Sequence, residues 1–166
     1  TTDLKAISYD PFPTFEIGDG KVRLGYESLV EWLLTKRRVF LEAYVGVTLD
    51  SVRERVDALL KARSKTVIWR EAWSALKPDA EIAALVEPFL GNGDPLFGKV
   101  CGLQLFDFFE MGKLERLGSP ADPNADLTIV IGIGSSLAKS TDDHDHHSSP
   151  IVYFDVPKNE IQYRSR

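Results

Sequence analysis

The chain has 166 residues, 43% of them hydrophobic and 27% charged, with 20 basic against 25 acidic side chains and a net charge of −5. That length suits one globular domain of about 100–200 residues, large enough to bury about two-thirds of its unfolded surface without staples. The acidic balance and the lack of a long basic stripe exclude a nucleic-acid partner, which needs clustered Lys and Arg. The one cysteine, Cys101, excludes a disulfide framework and a cysteine-rich zinc module, and no apolar run approaches the roughly 20 residues that span a bilayer.

From the amino end, Pro11 and Pro13 mark an irregular lead-in, and the runs 14–17 and 21–24 around Gly18-Asp19-Gly20 predict a small hairpin. Leu29, Val30, Leu33 and Leu34 recur at helical spacing and predict a helix over 27–36, with Lys36, Arg37 and Arg38 at its end, where cations oppose the helix dipole. The run 39–45 reads as a strand buried on both faces and broken by Gly46. Thr48 then offers an N-cap for a helix to about Arg63, striped by Leu49, Val52, Val56, Leu59 and Leu60. A second strand is expected at 66–69. Lys77-Pro78-Asp79-Ala80-Glu81 opens a third helix that ends near Pro88. Residues 91–95 form a turn-rich break, and a helix is expected from about Gln104 to Leu117. The strand 127–131 runs into Gly132-Ile133-Gly134-Ser135-Ser136. After a polar stretch, 139–149, a last strand at 151–156 leads into a terminal helix.

Apolar strands alternating with helices predict an α/β fold: three layers, α/β/α, around a mainly parallel sheet, plus the short N-terminal β-hairpin. Such folds bind ligands beyond the carboxyl ends of their strands. Attention therefore falls on 46–50, 71–73 and 132–136.

In the first of these, a strand, a glycine turn and a helix stand in the order of a phosphate-binding P-loop. Gly46 takes the place of the second glycine and Thr48 that of the hydroxyl that holds magnesium, but Val47 replaces the lysine and Leu41 the first glycine. Gly132 and Gly134 imitate a dinucleotide-binding turn whose third glycine is replaced by Leu137; Ser135, Ser136 and the local amides offer an anion contact. Asp142 to His147 contains every histidine of the chain and reads as a solvated loop with adventitious metal affinity. Glu42, Glu71 and Asp155 lie on or at the ends of predicted strands, where a carboxylate can hold magnesium, act as a base, or simply pair with an arginine or an amide. Cys101 has no histidine in a triad context, and no Gly-x-Ser-x-Gly elbow exists.

Taken together, several segments resemble the N-terminal domain of bacterial class I mannose-6-phosphate isomerase-like proteins. They are the Gly46 unit, Leu76-Lys77-Pro78 with Glu81-Ile82, Asp94-Pro95-Leu96-Phe97-Gly98, Phe106-Asp107-Phe108-Phe109, the glycine turn 132–134, and Val152 through Gln162. The resemblance covers about Tyr9 to Arg166. It implies a P-loop-kinase-like fold, a nucleoside-kinase-like domain followed by a cupin isomerase domain, the partner, which alone would carry the zinc ligands. The last strand and helix also resemble uridine-kinase-type proteins, where a strand ending in Asp precedes a helix with arginines near the phosphates; Asp155, Arg164 and Arg166 are the counterparts.

With the P-loop lysine missing, the resemblance implies a degenerate, non-catalytic domain, accessory or regulatory to a sugar-phosphate isomerase of carbohydrate metabolism. Its job would be docking on the cupin domain, oligomerisation or sensing a phosphorylated small molecule, with nucleotide and magnesium as the cofactors to test. Two alternatives remain open: an active nucleotide-dependent small-molecule kinase, drawing its cation from Lys77, Lys99, Lys158, Arg164 or Arg166, and a ligand-free α/β interaction module. A start at Thr1, with no secretory leader in view, gives the expectation of a cytoplasmic domain excised from a longer protein.

Overall fold

Four short strands build one sheet in the computed structural model, which describes residues 14–91, 98–139 and 149–164. They are β1 (Arg38–Ala43), β2 (Val67–Glu71), β3 (Leu127–Ile131) and β4 (Ile151–Phe154), in the order β2-β3-β1-β4, every pair parallel. All five residues of β3 are buried, and in β1 all but Arg38 are, as befits inner strands covered on both faces. The α/β class and the mainly parallel three-layer build are as expected.

Strand alternation sends the two halves of each inner strand to different cores. Val39 and Leu41 of β1 join Leu127, Ile129 and Ile131 of β3 on one face. There they meet Val30 and Leu33 of α1 (Gly25–Leu33) and Val52, Val56 and Leu60 of α2 (Leu49–Ala62). Phe40 and Val130 point to the opposite face, against Ala75, Phe109, Leu114 and Ala138. That second layer is made of α4 (Met111–Leu117) and two 3-10 turns, Ala72–Ala75 and Ser135–Ala138. Each fully buried Leu, Ile, Val or Phe contributes about 1.5–3 kcal/mol, so these two clusters carry the fold. Two further helices, α3 (Asp79–Val86) and α5 (Lys158–Arg164), lie toward the carboxyl end of the sheet. No helix among the described residues is long and apolar enough to cross a membrane.

Four expectations need correction. The N-terminal hairpin does not form: the turn at Asp19–Gly20 is present, but the flanking runs make no ladder. A lone two-stranded ribbon is marginal, and Phe15 and Leu24, at 82% and 86% exposed, find no core to hold one. The first helix ends at Leu33, so Arg38 opens β1 instead of capping the helix. The second strand runs to Glu71, two residues past its expected end at 69. The helix expected over 104–117 is two pieces, a 3-10 turn at Leu105–Phe108 and then α4. Between them the chain is extended and bridges Leu76 to Phe109, with Lys77 N–H donating to Phe108 C=O (2.9 Å) and Glu110 N–H to Ala75 C=O (2.8 Å).

Candidate functional site

The carboxyl ends of β1, β3 and β4 adjoin, and the chain leaves β1 and β3 in different directions. From β1 it enters α2 on one face; from β3 it enters the 3-10 turn Ser135–Ala138 on the other. This is the switch point where open α/β sheets hold ligands. Most of the residues singled out in the sequence come together here.

Gly46 follows β1 with φ +99°, and a Cβ at this position would lie 3.1 Å from Ile161 Cγ1 and 3.6 Å from Val156 Cγ2. The turn is therefore packed by apolar side chains from α5 and from the segment that joins β4 to it. Val47, in the lysine's place, packs against the first core. Thr48 occupies the N-cap position of α2 without a side-chain capping bond.

The loop after β3 is closed by a carboxylate. Glu42, on β1 and 8% exposed, accepts from Gly134 N–H at Oε1 (2.8 Å) and from both the N–H (2.9 Å) and the hydroxyl (2.7 Å) of Ser136 at Oε2. Ala43 N–H adds a longer bond to Oε1 (3.2 Å). Converging amides of this kind are an anion cradle, and the anion in it is Glu42. The two glycines serve packing: a Cβ on Gly132 would lie 2.9 Å from Ala72 Cβ, and one on Gly134 2.5 Å from Phe109 Cζ. Ser135 is fully buried and its hydroxyl makes no hydrogen bond.

Asp155 is exposed beyond β4, with Val156 N–H donating to its Oδ1 (2.8 Å). It lines a groove of about 660 Å³ with Tyr44, Val45, Tyr153, Lys158 and Ile161. Partial desolvation of Tyr153, then the charge of Asp155, holds the Tyr153 hydroxyl above the ordinary tyrosine range. Arg164 ends α5; Arg166 and the Asp142–His147 stretch lie outside the described residues. Of the lysines named as alternative cations, Lys77 donates to Asp107 C=O (2.7 Å), and Lys158 alone lines the groove beside Gly46. Glu71 pairs with Arg53 of α2.

An apolar cup of about 330 Å³ lies at the same end, over the turns that follow β2 and β3. Leu49, Trp73, Leu76, Ile82, Phe108 and Ile133 contribute to its walls. In the sequence Leu49 belongs to the stripe of α2, while Leu76, Ile82, Phe108 and Ile133 fall in separate segments with nothing local to join them. No residue of α3 is fully buried, so its apolar side chain Ile82 is not spent on either core.

No curated protein and no solved structure matches the chain. A family model described as Domain of unknown function (DUF8485) matches residues 25–166, from the first residue of α1 through all four strands. The chain belongs to that family.

Proposed function

We propose that the chain is a non-catalytic α/β module, accessory or regulatory to a larger protein, in which a kinase-like ground plan has lost its phosphate site. The observation that carries this reading is Glu42. Its carboxylate takes up the Gly134 and Ser136 donors that would otherwise face a phosphate. The apolar packing of Ile161 against Gly46 supports it at the other loop. The resemblance to mannose-6-phosphate isomerase-like proteins supplies the context: a downstream cupin domain as partner, zinc confined to that domain, and carbohydrate metabolism as the setting. A cytoplasmic location goes with it, since one cysteine offers no disulfide framework.

Isothermal titration with ATP, GTP, UTP and mannose 6-phosphate, each with magnesium, tests the reading. No saturable heat is expected for any of them. Micromolar binding that Gly134→Ala or Thr48→Ala weakens would overturn it.

One observation favours a second reading, the nucleotide-dependent small-molecule kinase. Lys158 lines the groove beside the Gly46 turn together with Asp155, so a cation is at hand without a P-loop lysine. Phosphate transfer from ATP to a panel of sugars and nucleosides, abolished by Lys158→Ala, would establish this reading in place of the first.

A further inference from the structure

The apolar cup goes beyond an accessory role for the chain. The geometry points to a binding site for a small neutral ligand with an aromatic or branched aliphatic body. Three observations select that chemistry over its competitors.

The first is position. The cup is walled by Leu49 at the start of α2, Trp73 after β2, Ile82 of α3, Leu105 and Phe108 of the 3-10 turn, and Ile133 after β3. These are separate stretches converging at the carboxyl end of a parallel sheet, the end where α/β folds receive ligands. The Leu76–Phe109 bridge ties two of the stretches together by backbone hydrogen bonds, so the cup is formed before anything enters it.

The second is shape and size. Phe109, on one side of the cup, is buried in the second core, while Trp73, Leu105 and Ile133, at 41%, 45% and 40% exposed, form a rim open to solvent through which a ligand can enter. An apolar cavity of about 150 Å³ takes benzene. The cup, at about 330 Å³, has room for a body of roughly two fused rings and lies within the usual range of small-molecule sites.

The third is charge. Arg53, one helical turn beyond Leu49, and Glu71, two residues before Trp73, are paired with each other. Lys77, next to Leu76, spends its ammonium on Asp107 C=O. The Gly134 and Ser136 amides are held by Glu42. A charged ligand therefore finds no ready counter-charge at these positions and would lose hydration on entry; a neutral apolar one loses nothing.

Fluorescence titration of the whole chain with N-phenyl-1-naphthylamine, an uncharged two-ring probe, decides the matter. Saturable emission with one probe per chain is expected. Ile133→Lys, which places a charge in the wall, and Ile82→Trp, which fills the space without charge, should each weaken it at least tenfold. Tyr153→Ala, in the separate groove, should leave it unchanged. Circular dichroism of each variant checks the fold, and the two wall variants fail for different physical reasons if they fail at all. Absence of saturable emission from folded wild-type chain would overturn the site. So would emission that both wall variants preserve, or a stoichiometry of one probe per two chains with sedimentation as a dimer, which would give the cup to a second copy. Nucleotide binding in the earlier titration would overturn the accessory reading and leave this one standing.

Discussion

Ser136 donates twice to the same oxygen of Glu42, through its main-chain N–H at 2.9 Å and its hydroxyl at 2.7 Å. A buried acceptor that satisfies three donors in one loop is costly to remove, because the donors left behind stay dehydrated. Glu42→Ala should destabilise the chain by about 2–3 kcal/mol, and Glu42→Gln, which keeps one acceptor oxygen, by about half as much. Urea denaturation measures both. If the loop is an anion cradle, inorganic sulfate at tens of millimolar should raise the melting temperature of Glu42→Ala more than that of wild type, because only the variant has a vacated site to bind it. Equal shifts would show that the loop does not recognise anions.

Ser135, next in the chain to Ser136, presents the opposite case. Its buried hydroxyl has no partner, and an unsatisfied buried polar group costs about 1–3 kcal/mol. Ser135→Ala should therefore raise stability, by about 1 kcal/mol, whereas Ser136→Ala should lower it by a similar amount. Paired denaturation curves of the two variants give opposite signs if the assignment is right.

Gly134 sits at φ +84°, and an added Cβ would meet Phe109 Cζ at 2.5 Å. Gly134→Ala carries two penalties: about 1–2 kcal/mol for the left-handed backbone and about 1–3 kcal/mol for overpacking. Only the second is steric. In a double-mutant cycle, shortening the neighbour with Phe109→Leu should recover the steric part and leave the backbone part in place. A cycle with no coupling energy would mean that the ring yields freely.

Asp126 supplies a pH test. Thr66 N–H (2.8 Å) and the Lys65 ammonium (3.1 Å) hold its carboxyl below the ordinary Asp value. A lowered folded pKa adds stability above the unfolded value of about 3.9 and loses it as pH falls through the folded value. The stability gap between wild type and Asp126→Asn should therefore be widest near neutral pH and close only as pH falls through the lowered folded value. The gap is small, because the pair is partly exposed and screened; raising salt at neutral pH should narrow it further.

Much of the fold was legible because local pattern and tertiary role agree. The runs 39–45, 66–69, 127–131 and 151–156 contain the four strands to within two residues, since apolar, β-branched runs of that length suit an inner parallel strand. The misreadings come from pairings distant in sequence. The stretch from Gln104 to Leu117 reads as one helix, yet Phe109 is extended because Leu76, more than 30 residues earlier, bridges it. Gly132 and Gly134 look like a nucleotide turn, but their spacing reflects the close approach of Ala72 and Phe109. Glu42 reads as a base, a magnesium ligand or the partner of an arginine or an amide; the last is what the structure shows, and besides neighbouring Ala43 its donors lie 92 and 94 residues away. The one local clue was a carboxylate in the middle of an otherwise apolar strand, where burial demands a partner.

β1 carries more than an apolar pattern. Arg38, at its amino end, donates to Gly118 C=O (2.7 Å) and Ser119 C=O (3.0 Å), while Glu42, near its carboxyl end, accepts from Gly134 and Ser136. Both project to the same face of the sheet as Phe40. One end of the strand thus meets a loop's carbonyls and the other a loop's amides. A one-residue slip of β1 would turn the guanidinium and the carboxylate together into the opposite, apolar core. The strand is keyed at both ends, and charge fixes its register as firmly as hydrophobicity does.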